Sequence, residues 1–184
     1  MKKCIELAQD LGVRTIQLAG YDVYYEEKSP QTRQRFIKNL RKACDWAEEA
    51  QVVLAIEIMD DPFINSIEKY LAVEKEIDSP YLFVYPDIGN VSAWHNDVYS
   101  EFYLGHHAIA ALHLKDTYTV TESSKGQFRD VTFGQGCVKW EEAFDILKQT
   151  NYNGPFLIEM WSENCETVEE TRAAIQEAQA FLYP

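Results

Sequence analysis

Five short apolar runs alternating with longer amphipathic segments predict an α/β protein built on a parallel sheet. Two observations carry this. The runs VVLAIEIM (52–59), YLFVY (81–85) and IAALHL (109–114) are almost wholly apolar, as expected of strands covered on both faces. The segments between them repeat apolar residues at three- and four-residue spacing, as helices do. A parallel arrangement with right-handed crossovers follows from this βα alternation.

Taken in order, residues 2–11 read as a helix with Ile5, Ala8 and Leu11 near one face and Gly12 as its cap. Residues 14–19 (RTIQLA) are the first strand. The stretch 21–30 is loop, and Ser29-Pro30 is a helix-start signal for residues 31–50. The run 52–59 is the second strand, and a helix over 65–77 opens at Asn65 or Ser66. Residues 81–85 form the third strand, 96–105 a helix ending at Gly105, and 109–114 the fourth strand. A long loop, 116–137, holds Gly126, Gly134 and Gly136. A helix over 139–149, a last strand over 156–160 and a closing helix over 167–182 complete the chain. Periodicity alone leaves open a doubly wound sheet or part of a (β/α)₈ barrel. No GxGxxG follows the first strand, and Gly134-Gln135-Gly136 lacks the third glycine, so dinucleotide binding has no support.

The chain has 184 residues, enough for one domain spanning 1–184 with a sizeable core. Its 17 Lys+Arg against 30 Asp+Glu give a net charge of −13. Such a chain is repelled by phosphate backbones and anionic lipid, so neither nucleic acid nor membrane is expected as a partner. The four cysteines, Cys4, Cys44, Cys137 and Cys165, are scattered and read as reduced thiols. Lys2-Lys3 is followed by Cys4-Ile5-Glu6 rather than an apolar signal segment, and a cytoplasmic location is expected.

The informative residues are ionisable ones inside or just past apolar strands. Glu57 lies near the end of the second strand, Asp87 follows the third, His113 lies in the fourth and Glu159 in the fifth. In parallel α/β folds the ligand site lies at the C-terminal ends of the strands, so all four face one mouth. Three carboxylates gathered there need a neutralising charge. Carboxylates with one imidazole suit a divalent ion such as Mn²⁺, Mg²⁺, Co²⁺ or Zn²⁺. The competing view of each residue alone is a satisfied polar group at a strand end.

The segments IEIMD (56–60), YPDIGN (85–90), HLKDT (113–117), FGQG (133–136) and GPFLIEMW (154–161) resemble the xylose-isomerase-like TIM-barrel superfamily. More narrowly they resemble its L-ribulose-5-phosphate or L-xylulose-5-phosphate 3-epimerases. The resemblance implies metal ligands Glu57, Asp87, His113 and Glu159, with Glu57 and Glu159 also the catalytic acid/base pair. It implies epimerisation at C3 of a ketopentose 5-phosphate through a metal-stabilised enediolate, two carboxylates serving the two faces. For the phosphate, Lys115, Arg129 and the backbone N–H groups of Gly134 and Gly136 are the expected contacts. For Lys115 the competing reading is a structural ion pair with Asp116 or a neighbouring acid.

A full barrel of this type takes about 250 residues. The resemblance therefore implies a partial (β/α)₈ barrel of about five parallel βα units, strands 4 to 8, with the first three units missing. The open edges at RTIQLA and FLIEM imply a homo-oligomer that covers them. Competing functions are an aldose–ketose isomerase on a sugar phosphate and an inactive paralogue. A DNA-repair endonuclease of the same superfamily is opposed by the net charge and the single histidine ligand. Tyr21, Tyr24 and Tyr25 are candidates to line the pocket, His95 reads as a surface residue, and His106-His107 as structural. Asp60 and Asp61 read as turn formers, Trp140 and Trp161 as packing residues.

Overall fold

The computed structural model describes residues 1–24, 26–161 and 165–183. In order the elements are α1 (Lys2–Leu11), β1 (Thr15–Ala19), α2 (Pro30–Ala50), β2 (Val53–Glu57), α3 (Ile67–Ile77) and β3 (Leu82–Tyr85). Then come α4 (Ile88–Ala93), α5 (Val98–Gly105), β4 (Leu112–Leu114), α6 (Trp140–Gln149), β5 (Phe156–Ile158) and α7 (Val168–Leu182). The helix starts are chemically marked. Ser29 and Thr32 form a reciprocal capping box at α2 with Pro30 at its first turn, and Thr167 and Glu170 do the same at α7.

The strands are parallel, as expected. β2 pairs with β1 and β3, and β4 with β5. Isolated parallel bridges, Val84↔Ile109 and Asp87↔His113, link β3 to the β4 side. The spatial order is therefore the chain order. Side chains alternate across this sheet. Leu54, Ile56, Val84, Leu112 and Leu114 face the helices and join the main core. Ala55, Tyr85 and Ala111 form a second buried cluster on the opposite face. Full burial of a Leu54 or Ile56 side chain is worth roughly 1.5–3 kcal/mol.

Three boundaries differ from expectation. The fourth strand is laddered only over Leu112–Leu114, because the chain before it runs through a 3₁₀ turn, His106–Ala108, and touches β3 at one bridge. The last strand stops at Ile158, before Glu159 and Met160. A six-residue helix, α4, occupies what reads as loop. It is too short to show periodicity, and its one sequence signal is its N-cap, Asp87. Within the 116–137 loop a small antiparallel turn closes by bridges Tyr118↔Gln127 and Thr121↔Ser124. No helix among the described residues is long and apolar enough to cross a membrane.

Candidate metal centre

The sheet register brings four strand ends together. Ile58 N–H donates to the Tyr85 carbonyl at 3.2 Å, His113 N–H to Pro86 at 2.9 Å, and Glu159 N–H to Leu114 at 3.0 Å. These bonds align Glu57, Asp87, His113 and Glu159 at one level. One ligand atom from each lies within 4.8 Å of all the others. Glu57, Asp87 and His113 are buried and Glu159 is half-buried.

His113 Nδ1 is the pivot. It lies 2.9 Å from Glu57 Oε1, 2.9 Å from Glu159 Oε2 and 3.9 Å from Asp87 Oδ2. Two carboxylates thus contest one nitrogen. The imidazole ring rests against Tyr85 with centroids 4.6 Å apart. Asp87 Oδ1 accepts from the Asn90 N–H at 2.8 Å, which caps α4 and turns Oδ2 toward the cluster. Lys115 Nζ lies 2.8 Å from that Oδ2 and 3.3 Å from Glu159 Oε1. A residue the sequence reading passed over also enters: Gln17 Nε2 donates to Glu57 Oε2 at 2.7 Å.

The electrostatics follow from burial and crowding. Burial pushes the Asp87 carboxyl well above the usual range, and the Lys115 charge only partly opposes this. Burial alone would raise Glu159 as well, but the His113 hydrogen bond and Lys115 hold it below its ordinary value. Burial would lower His113, yet hydrogen bonds to Glu159 and Glu57 outweigh it and leave the imidazole at about 9. Lys115 is likewise held up by Asp87 and Glu159 against its own burial.

Asp87 Oδ2 meets only the Lys115 ammonium and Glu159 Oε2 only the contested His113 Nδ1, while His113 Nε2 is buried with no hydrogen-bond partner. Orphaned polar atoms are costly in a protein interior. Three acids and one imidazole whose ligand atoms lie within 4.8 Å of one another fit a hard or borderline divalent cation. The donor set matches the expected ligands residue for residue.

Around the cluster lies a cavity of about 230 Å³, whose lining includes Gln17, Tyr21, Asn90, Arg129 and Trp161. A second cavity of about 240 Å³ adjoins it, sharing Lys115, Arg129, Glu159 and Trp161, and closes on Phe133 and Phe181. The Arg129 guanidinium lies 4.0 Å over the Trp161 ring at this junction. Tyr21 donates to the Asp60 carboxylate. Tyr24 is exposed, and Tyr25 lies outside the described residues. His95 is exposed and its Nε2 meets the Val120 carbonyl, while His106 and His107 lie away from the mouth at the 3₁₀ turn before β4. Asp61 accepts from Phe63 N–H, the turn role expected of it.

Two expectations are corrected. Gly134 and Gly136 do not present free N–H groups to an anion. Both donate to Asp116 Oδ2, at 2.9 and 3.0 Å. Asp116 also accepts from Thr117 N–H at 2.9 Å, Val138 N–H at 3.2 Å and the Trp140 indole at 3.4 Å. It is therefore not the ion-pair partner of Lys115, whose side chain pairs instead with Asp87 and Glu159. A β-carbon at Gly136 would collide with the Asp116 carboxylate, so the glycine is there for close approach. The FGQG signal marks a loop anchored on a buried acid.

A parallel α/β scaffold that aims three carboxylates and an imidazole at one mouth defines a candidate metal centre at the strand ends, where barrel folds carry their sites. The chain belongs to the xylose isomerase-like TIM barrel family, whose sequence pattern matches residues 1–184. It is 55% identical over 166 residues to the SgbU protein of Haemophilus influenzae, covering 90% of this chain and 58% of that one. It is 49% identical over 182 residues to the L-ribulose-5-phosphate 3-epimerase UlaE of Escherichia coli O157:H7, covering 99% of this chain and 61% of that one. The chain thus spans about three-fifths of the length of the curated relatives it matches. Among solved structures it resembles an L-ribulose 3-epimerase, with a TM-score of 0.77 at 19% identity over 98% of this chain and 64% of that one.

Proposed function

We propose that the chain is the metal-bearing part of a sugar-phosphate 3-epimerase, acting on a ketopentose 5-phosphate such as L-ribulose 5-phosphate. The observation that carries this is the convergence of Glu57, Asp87, His113 and Glu159, whose ligand atoms lie within 4.8 Å of one another at the strand ends. The name of the UlaE relative supports the substrate class. The single domain, 1–184, corresponds in this reading to strands 4 to 8 of a (β/α)₈ barrel, a partial barrel whose edge strands β1 and β5 meet another copy in the cytoplasm.

A divalent ion held by the four residues supplies positive charge that polarises a ketose carbonyl and eases proton loss beside it. The rest is the work of this chain. Glu57 and Glu159 reach the centre from β2 and β5, with His113 between them. One carboxylate takes the C3 proton and the other returns a proton to the opposite face. Asp87 and His113 hold without transferring. Arg129, stacked on Trp161 at the cavity junction, meets the phosphate, joined by Lys115 when a bound cation relieves its ammonium of Asp87.

The test is deuterium incorporation at C3 of L-ribulose 5-phosphate in D₂O with Mn²⁺ added, alongside metal stoichiometry. Wild-type protein should bind one ion and exchange C3. Glu159→Gln should lose about 10²–10⁴-fold in exchange rate while remaining folded. Wild-type exchange in that variant, or no stoichiometric ion in the wild type, overturns the reading.

A further inference from the structure

We propose that Gln17 selects the cation at this centre by keeping Glu57 a one-oxygen ligand. The inference rests on the reading of the cluster as a metal centre and adds a determinant of which metal it takes. Gln17 sits on β1 in register with Ala55, two residues before Glu57 on the neighbouring strand. Its carboxamide N–H donates to Glu57 Oε2 at 2.7 Å. The other oxygen, Oε1, is the one that faces His113 at 2.9 Å inside the cluster.

The two oxygens of Glu57 are therefore sorted. One is tied to the adjacent strand and the other points at the centre. The Gln17 bond takes one lone pair of Oε2 and holds the carboxylate turned with Oε1 toward the centre, so a two-oxygen grip on an ion requires the carboxylate to turn against that bond. Glu159 is sorted differently: its Oε1 faces Lys115 at 3.3 Å and its Oε2 faces His113 Nδ1 at 2.9 Å, with no donor from a neighbouring strand holding either. Ca²⁺ takes six to eight oxygens at about 2.3–2.6 Å and uses bidentate carboxylates readily, whereas small ions such as Mg²⁺ demand a near-ideal six-coordinate shell. A Glu57 restricted to one oxygen favours the small ions. The donor must also be neutral. A lysine at this position would add a second cation beside Lys115 and weaken every divalent ion alike.

The experiment titrates the full chain with Mn²⁺ alone, with Ca²⁺ alone and with the two in competition. Gln17→Met keeps the side-chain length without the donor. Thr15→Val alters the same face of β1 one step away and serves as the control for disturbance of the strand. Loss of an outer partner of a ligand costs about 10–100-fold in metal affinity. Gln17→Met should lose that much for Mn²⁺ and markedly less for Ca²⁺, so the Mn²⁺/Ca²⁺ preference narrows by about tenfold. Thr15→Val should leave the preference unchanged. A wild-type preference in Gln17→Met overturns the role of Gln17 and leaves the metal centre standing. An equal shift in Thr15→Val overturns it too. A wild-type chain that binds neither ion overturns the metal reading and this inference with it.

Discussion

Asp87 and Asp116 stand just past neighbouring strands, β3 and β4, and both are almost fully buried. Their surroundings are opposite. Asp116 gathers hydrogen bonds from Thr117, Gly134, Gly136, Val138 and Trp140, so the protein's own N–H groups satisfy both of its oxygens. Asp87 gives one oxygen to the N-terminus of α4, and its other oxygen meets no backbone N–H, only the Lys115 ammonium at 2.8 Å, while facing His113. Depth does not separate a structural carboxylate from a ligating one. Saturation does: an acid whose capacity is filled by the chain organises a loop, and one left short is set to take a ligand.

The sharpest way to break this comparison is to exchange the consequences of losing each acid. Asp87→Asn should cost at least about 100-fold in Mn²⁺ affinity, measured by calorimetry, with a smaller loss in the urea midpoint than Asp116→Ala because Glu159 remains beside Lys115. Asp116→Ala should do the reverse. Leaving several buried N–H groups without an acceptor is worth roughly 3–5 kcal/mol of stability by urea denaturation, with metal still bound by the fraction that folds. If Asp116→Ala leaves stability intact and abolishes metal binding, the assignment of the two acids is wrong.

A smaller effect sharpens the same point. Gly136→Ala places a methyl group against the Asp116 carboxylate and should destabilise by about 1–3 kcal/mol, read from thermal unfolding, without altering metal affinity. The smallest effect concerns a third acid. Asp22 is satisfied by side chains, Lys28 at 2.6 Å and the Thr32 hydroxyl at 2.6 Å. Burial would raise its carboxyl, but these two bonds hold it below the usual range. With the folded value depressed, the stabilisation is present above the unfolded value of about 3.9 and fades as pH falls through the folded one. Because Lys28 is 38% exposed, solvent screening limits the gain to below about 1 kcal/mol. Asp22→Asn should therefore flatten the stability curve between about pH 5 and 2 and leave it unchanged at acid extremes.

The candidate centre was legible because charge interrupts otherwise apolar strands. Glu57 and His113 stand out in VVLAIEIM and IAALHL for that reason, and the βα repeat fixes their shared end of the sheet. Gln17 was not legible. In RTIQLA an uncharged polar residue looks like ordinary in–out alternation, and only the register against β2 shows that it meets Glu57. Of the two ion-pair options for Lys115, Asp116 or a neighbouring acid, the first fails because adjacent residues on an extended chain point to opposite sides, and Asp87 and Glu159 supply the second. The glycines of FGQG were expected to offer their N–H groups to a substrate phosphate. What approaches them is a carboxylate of the protein, a long-range fact that spacing does not encode. Helix α4 escaped notice since six residues are fewer than two helical turns.

The ammonium of Lys115 gives the mouth its own counter-charge, set between Asp87 and Glu159 at 2.8 and 3.3 Å. A cluster of acids without such a resident cation would repel itself until an ion arrived, and folding would wait on metal supply. With that counter-charge in place the metal-free chain should fold, giving a native circular dichroism spectrum in EDTA, and a bound ion then raises its unfolding midpoint by mass action.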